Sequence, residues 1–315
     1  METRWVAVGF GGPEVLRRVP VDVPAPGRGA VTIAVRAAGM NPADYKHLRP
    51  GQDPSLLPLT VGYEAAGVIS AVGPGTEIAS GGGQVGDEVV AFQILGGYAS
   101  AITVDAADVF AKPASLGFAE AANLLLVGTT AAEMLDVAGV SDGDIVLVHG
   151  AAGGVGTSVL QQARLLGATV IGTASESSFD AVRRFGATPV AYGPGLLERV
   201  RAAAPGGIDA ALDCVGTGEA IDVSLAAVPD TKRIVSTAAF DRAADGIQLI
   251  GAANARSGPY RASQRARLLA LAADGQLTVP IARTFPLEDA PAAVAALMGA
   301  HPYGKLALVA PGPSA

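Results

Sequence analysis

Between Asp144 and Gly167 the apolar positions change their period. Ile145-Val146-Leu147-Val148 is a continuous apolar run of strand length. Beyond the turn Gly150-Ala151-Ala152-Gly153-Gly154-Val155-Gly156, the residues Val155, Val159, Leu160, Ala163 and Leu166 fall on one helical face. A run, a glycine-rich turn and a helix in succession predict the opening of a dinucleotide-binding unit. Glycine lets the backbone bend sharply and a pyrophosphate come close. The free N–H groups and dipole of the helix N-terminus then favour the anion. Ala151 stands at the first glycine of the usual G-x-G-x-x-G, ahead of Gly153 and Gly156. A bare glycine-rich turn is equally an ordinary tight turn; its place between strand and helix is what favours a nucleotide. Candidate contacts are Gly150, Ala152, Gly153, Gly154, Val155 and Gly156.

Ahead of residue 110 the period is two. Val31, Ile33 and Val35 alternate with Thr32, Ala34 and Arg36. Val68–Val72 runs into Gly73-Pro74-Gly75, and Glu88–Phe92 follows Gly86-Asp87. Short strands and frequent turns predict a small β-rich domain, with Gly81-Gly82-Gly83 as a surface loop. From Phe118 the spacing becomes helical over 118–139. Strands at 144–148, 169–173, 188–191, 208–213 and 231–236 then alternate with helices near 154–166, 178–185, 196–204 and 217–227. That alternation predicts an α/β fold with a doubly wound parallel sheet covered on both faces. A helix over 264–273, a strand near 281–284, a helix over 287–298 and a strand over 306–309 follow. The Pro311-Gly312-Pro313 tail is expected to fray.

The chain of 315 residues is 50% hydrophobic and 16% charged, so it holds one large or two medium cores. A net charge of −7 argues against nucleic-acid and anionic-membrane partners. No apolar run reaches the roughly 18 residues of a membrane helix. The N-terminus lacks the basic-then-apolar pattern of a secretory signal. With a single cysteine, Cys214, no internal disulfide forms. These features lead us to expect a cytoplasmic protein.

Several motifs carry a resemblance. They are Gly39-Met40-Asn41-Pro42-Ala43-Asp44, Gly62-Tyr63-Glu64-Ala65-Ala66-Gly67-Val68, Val85-Gly86-Asp87-Glu88-Val89, Gly96-Gly97-Tyr98-Ala99, Phe118-Ala119-Glu120-Ala121-Ala122, the His149–Gly156 turn, Asp213-Cys214-Val215-Gly216 and Gly304-Lys305. In this order and spacing, over nearly the whole chain, they resemble the zeta-crystallin-like quinone oxidoreductases of the medium-chain dehydrogenase/reductase superfamily. The resemblance implies a GroES-like catalytic domain from both ends of the chain (1–120 and 261–315). Between them it implies a Rossmann NADP-binding domain (121–260). It further implies NADPH-dependent hydride transfer and a homodimer joined through edge strands of the nucleotide domains. Zinc alcohol dehydrogenases of the superfamily carry Cys-x-x-Asp and Gly-His-Glu at two N-terminal places, where this chain has Asn41 and Tyr63. A catalytic zinc needs three protein ligands. His47, His149 and His301 are scattered and Cys214 falls in an expected strand, so no zinc site is expected.

The strand at 169–173 ends Thr173-Ala174-Ser175. An NAD enzyme places Asp or Glu here for the ribose hydroxyls. A carboxylate about 4 Å from a 2′-phosphate would cost on the order of 1–4 kcal/mol, and Ala174 removes it. Ser175, Ser177 and Ser178 offer hydrogen bonds to that phosphate, Arg183 or Arg184 add charge, and Tyr192 matches a family tyrosine near it. On the other reading Ser177 and Asp180 form a capping box, the arginines are a solvated face and Tyr192 packs. The balance favours NADPH.

Cys214 and Val215 end the fourth strand of the unit; Ser236, Thr237 and Ala238 end the fifth, near the nicotinamide by family analogy. Cys214 reads as a small strand residue rather than a nucleophile. Thr129 begins a helix face near the cofactor, and Asn254 and Tyr260 are candidates on a returning loop. Asn41 and Tyr63 are expected to line the substrate cleft. Asn41 either donates to a carbonyl or holds a turn beside Pro42. Tyr45 and Lys46 are candidate donors, although His47–Gly51 reads as a local insertion against the family pattern. The expected activity is hydride transfer to a quinone or α,β-unsaturated carbonyl, whose developing oxyanion needs a hydrogen-bond donor. The alternatives are a dedicated enoyl or alkene reductase of a biosynthetic pathway and a non-catalytic NADPH-binding sensor.

Overall fold

The computed structural model describes residues 1–251, 254–299 and 303–310; His301 and Pro311-Gly312-Pro313 lie outside them. Two compact units form, Met1–Leu126 with Leu269–Ala315, and Val127–Leu268. The chain opens with antiparallel β1 (Glu2–Ala7) and β2 (Leu16–Val21). Then come β3 (Ala30–Gly39), helix α1 (Pro42–Lys46), β4 (Leu59–Thr60), β5 (Glu64–Val72), β6 (Glu88–Phe92), β7 (Ala101–Asp105), β8 (Val109–Ala111) and helix α2 (Phe118–Ala121). The period-two reading holds in β3, where Val31, Ile33 and Val35 join Ile69, Val89 and Ile102 in one apolar cluster.

The expected helix over 118–139 is split. After α2 the chain breaks, and α3 (Leu125–Val137) begins afresh. Asn123 sits in the break. Its Nδ2 donates to Ala119 O (3.0 Å) and Leu306 O (3.2 Å), and its Oδ1 accepts from Met40 N (3.2 Å). A side chain that competes for backbone groups in this way interrupts a helix.

The second unit continues with β9 (Ile145–His149), α4 (Gly154–Leu165), β10 (Thr169–Ala174), α5 (Phe179–Arg184), β11 (Thr188–Ala191), α6 (Leu196–Ala203), β12 (Ala210–Asp213), α7 (Gly218–Ala227), β13 (Ile234–Ser236) and β14 (Gln248–Leu249). The strands form a parallel six-stranded sheet of order β11-β10-β9-β12-β13-β14. Along β9, Val146 and Val148 enter one apolar cluster while Leu147 enters the other. Burial on both faces explains the unbroken apolar run. Strand order reverses beside β9, which places the ligand crevice of such a sheet at its carboxyl end.

Several boundaries differ from expectation. Residues Thr231–Arg233 form a 3-10 turn capped by Asp230, so β13 starts at Ile234. Strand β14, too short to carry a pattern, was not expected. Leu166 is 38% exposed rather than on the buried face, because α4 ends at Leu165. The Ser177–Asp180 capping box does not form: α5 begins at Phe179 with Ser178 at its cap and no side-chain cap bond.

Helix α8 (Ser257–Ala273) starts earlier than 264, and β15 (Ile281–Pro286), α9 (Ala290–Met298) and β16 (Lys305–Val309) follow. Strand β16 lies between β15 and β3, pairing parallel with the first and antiparallel with the second. Trp5, Leu48, Tyr98, Phe285, Val294 and Leu308 share a core there, and Trp5 Nε1 donates to Leu287 O at 2.8 Å.

Candidate functional site

In the Val127–Leu268 unit the glycine turn has no room for a side chain at Gly150 or Gly156. A Cβ on Gly156 would stand 2.2 Å from Gly150 O, and Gly150 has φ +75 with Val215 Cγ1 2.6 Å from where its Cβ would be. Gly153 is different: the nearest atom to its Cβ position is Gly150 O at 3.3 Å, and Gly153 itself is exposed. No side chain caps the first turn of α4, so its amides remain for an anion. Ala152, Gly154 and Val155 are half-buried around it, and Thr173 Oγ1 accepts from Gly150 N (3.2 Å), steadying the turn from β10. These residues fit a dinucleotide pyrophosphate.

At the end of β10 the structure corrects one assignment. Ala174 is buried in the cluster with Leu160 and Val182, so its side chain cannot face a ribose. The pleat turns successive residues to opposite faces, and half-buried Ser175 takes the exposed place. Its hydroxyl lies 3.1 Å from those of both Ser177 and Ser178. Arg183 is paired with Asp180 (2.9 Å) and lies over the Phe179 ring, while Tyr192 is 60% exposed rather than packed. Three hydroxyls thus gather at this strand end, with the Glu176 carboxylate exposed beside them.

At the ends of β12 and β13, Val215 is 47% exposed and Thr237 and Ala238 are partly exposed. Ser236 is fully buried. Its hydroxyl donates to Asp213 Oδ2 (2.5 Å) and accepts from Ala238 N (3.0 Å) and Ala239 N (2.9 Å), so it shapes the loop. Cys214 packs against Met134 Sδ at 3.9 Å, and burial pushes its thiol well above the usual range. Thr129 is fully buried in α3. Tyr260 donates to Ala132 O at 3.3 Å and Asn254 to Leu249 O at 3.3 Å.

In the other unit, four buried polar side chains join around Asn41. Lys305 Nζ donates to Asn41 Oδ1 and Met40 O, each at 2.5 Å. Asn41 Nδ2 donates to Glu64 Oε1 at 2.8 Å, and Leu126 N donates to Glu64 Oε2 at 3.0 Å. Asn41 N (2.7 Å) and Tyr98 Oη (2.9 Å) donate to Asp44 Oδ2, while buried Asp44 Oδ1 has no partner among the described residues. Burial pushes Asp44 up to about 7 against these two hydrogen bonds, raises Glu64 and lowers Lys305. The Lys305 ammonium lowers both carboxylates through space and reaches Glu64 only by way of the Asn41 amide.

Asn41 is 1% exposed with both ends of its amide held, so it is an organiser of this cluster rather than a free donor. Tyr63 is half-buried, and its hydroxyl hydrogen-bonds to His47 Nδ1. Burial and the Asp44 charge push Tyr63 up to about 12. Tyr45 packs on the cluster of Trp5, Leu48 and Leu297, while Lys46 and Arg49 are exposed. Sequence reading missed Glu64, Tyr98, Lys305 and His47. A lysine opening the apolar strand Lys305-Leu306-Ala307-Leu308-Val309 was the available signal, since a buried lysine needs a partner. Asn41 and Tyr63 are engaged elsewhere, and among the described residues no group of three His, Cys, Asp or Glu is placed for a metal.

Residues 27–130 match the alcohol dehydrogenase GroES-like domain and residues 185–308 match the zinc-binding dehydrogenase family. The chain belongs to the medium-chain dehydrogenase/reductase superfamily. Among solved structures it is similar to a mycobacterial quinone oxidoreductase, at 32% identity and TM-score 0.79 over 98% of this chain and 100% of that one. It is also similar to the CurK enoyl reductase, at 27% identity and TM-score 0.87 over 98% and 99%. The synaptic vesicle membrane protein VAT-1 homolog of Mus musculus is 38% identical over 224 residues, 67% of this chain and 53% of that protein. The chain therefore spans about half the length of the curated relative it matches. Among the described residues no helix is long and apolar enough to cross a membrane.

Proposed function

We propose that this chain is a zeta-crystallin-like, zinc-independent oxidoreductase that uses NADPH to reduce a quinone or an α,β-unsaturated carbonyl. The observation that carries the reading is the Asn41 amide held between Lys305 and Glu64. An internal ammonium supplies positive charge at the place where zinc enzymes keep a ligand. NADPH, when bound, supplies the hydride. The Gly150–Gly156 turn holds its pyrophosphate, and the Ser175, Ser177 and Ser178 hydroxyls bind the 2′-phosphate. Tyr63, protonated at neutral pH, donates a hydrogen bond to the acceptor oxygen as negative charge builds there. The apolar acceptor is held by position and dryness rather than by a metal. We read the protein as a cytoplasmic homodimer, with the sheet edge at β14 as the joining strand.

The likeness to an enoyl reductase supports a second reading, reduction of one biosynthetic alkene. The test is NADPH oxidation by purified protein against a panel of quinones and enones, with and without chelator. Turnover unaffected by chelator is expected, and breadth or narrowness over the panel separates the two readings. Stoichiometric zinc with chelator-sensitive turnover overturns the metal-free mechanism. Tight NADPH binding without turnover on any acceptor points to a sensor instead.

A further inference from the structure

We propose that His47 relays protons from solvent to the Tyr63 hydroxyl during acceptor reduction, an inference that rests on the function proposed above. His47 Nδ1 is hydrogen-bonded to Tyr63 Oη, and the rings meet edge to face, 5.5 Å between centroids at 86°. Both residues are fixed by structure outside the pair. His47 closes α1, whose first turn is held by Asn41 N donating to Asp44 Oδ2 and Asp44 N donating to Asn41 O. Tyr63 sits on a turn pinned from the opposite loop. Gly62 O accepts from Gly96 N (3.0 Å) and Gly97 N (3.1 Å), and Tyr63 O accepts from Ile94 N (3.2 Å). Gly62 has φ +98, and a Cβ there would strike the Tyr98 ring at 2.6 Å.

The exposure gradient gives the pair its direction. Tyr63 is half-buried and His47 is exposed, so the contact joins a sheltered hydroxyl to bulk water. On the inner side lie Asp44, Glu64 and Tyr98 of the buried cluster; on the outer side Lys46 and Arg49 are exposed on the same segment. The Asp44 charge opposes tyrosinate formation, so a tyrosine that has given up its proton must be resupplied quickly. A histidine, with one ring nitrogen to give a proton and another to take one, suits that task.

The step is a proton transfer with no change of oxidation state. The reduced acceptor would carry a negative oxygen. The Tyr63 O–H bond breaks and an O–H bond forms on the acceptor. The electron pair left on Tyr63 Oη takes the proton of His47 Nδ1–H as Nε2 takes one from water, so the ring stays neutral and the hydroxide left is neutralised in bulk solvent.

Two measurements on the full chain test the relay. In 15N-histidine-labelled protein without acceptor, Tyr63→Phe moves the His47 Nδ1 resonance; an unmoved resonance overturns the pairing. In turnover, His47→Ala lowers kcat about a hundredfold, the lower end of the range for proton-transfer catalysis. The KM for NADPH stays unchanged, and added imidazole restores the rate. Tyr63→Phe is not restored by imidazole. A His47→Ala variant with full kcat, or with a deficit that imidazole leaves untouched, overturns the relay while the reductase function stands. Wild-type protein that turns over no quinone or enone overturns the function, and the relay with it.

Discussion

Lys305 and Asn41 meet 264 positions apart in the chain, Nζ to Oδ1 at 2.5 Å, inside a region with almost no solvent. The far end of the same amide is held by Glu64, so one asparagine transmits the lysine charge toward a carboxylate. Its orientation is set by what lies at each end: an ammonium demands the oxygen, a carboxylate the nitrogen.

Removing that ammonium leaves Glu64 and Asp44 buried without a cation. Lys305→Met is expected to cost about 3–5 kcal/mol, the usual penalty for breaking a buried ion cluster from one side. Adding Glu64→Gln recovers part of the loss. Trp5 is the single tryptophan and lies in this unit's core, so its fluorescence in urea reports the relevant transition.

The two units respond to pH in opposite senses. Burial raises Asp44 from 3.8 to about 7, so the folded state keeps a proton that the unfolded chain releases. The stability this gives is full below pH 3.8 and is lost as pH rises to 7, about 4 kcal/mol in all. Burial lowers His149 from 6.5 to about 4, so its contribution is present above pH 6.5 and lost as pH falls to 4, about 3 kcal/mol. The Trp5 transition therefore weakens between pH 4 and 7, and Asp44→Asn flattens it. Hydrogen exchange in β9–β13 shows the opposite slope, and His149→Gln flattens that.

Gly156 and Gly153 separate folding from binding. The Gly156→Ala methyl meets backbone at 2.2 Å and is expected to destabilise its unit by about 1–3 kcal/mol. The Gly153→Ala methyl has Gly150 O at 3.3 Å as its nearest contact and otherwise enters the open side of the turn proposed to hold the pyrophosphate. It is expected to keep the fold and to weaken NADPH by tenfold or more, measured by calorimetry.

Cofactor choice is expected to turn on Ser175, not Ala174. Ser175→Asp places a carboxylate beside the 2′-phosphate at a cost of about 1–4 kcal/mol, tenfold or more in the NADPH-to-NADH ratio of dissociation constants. Ala174→Asp instead drives a charge into the cluster with Leu160 and Val182 and lowers thermal stability.

The fold was legible where the chain signals locally. The glycine turn, the doubly buried run of β9 and the alternation in β3 each follow from period and turn chemistry over a few residues. The break at Asn123 was not legible, because its cause is a bond to Leu306, far away in sequence. The same holds for the cluster at Asn41. Its partners Glu64, Tyr98 and Lys305 come from separate strands and loops, and no period links them. The direction of Ala174 was missed for a smaller reason: at a strand end, one step in register exchanges core for crevice.

The placement of β16 between β15 and β3 has a consequence for biosynthesis. Every strand of the contiguous unit has emerged once Leu249 is translated, so that sheet is free to close while the ribosome is still working. The other unit must wait for Lys305–Val309 to fill an internal gap in its seven-stranded sheet and to bring the counter-charge to two carboxylates made some 240 residues earlier. The contiguous unit thus matures ahead of the one assembled from the segments on either side of it, and β3 waits longest for its partner β16.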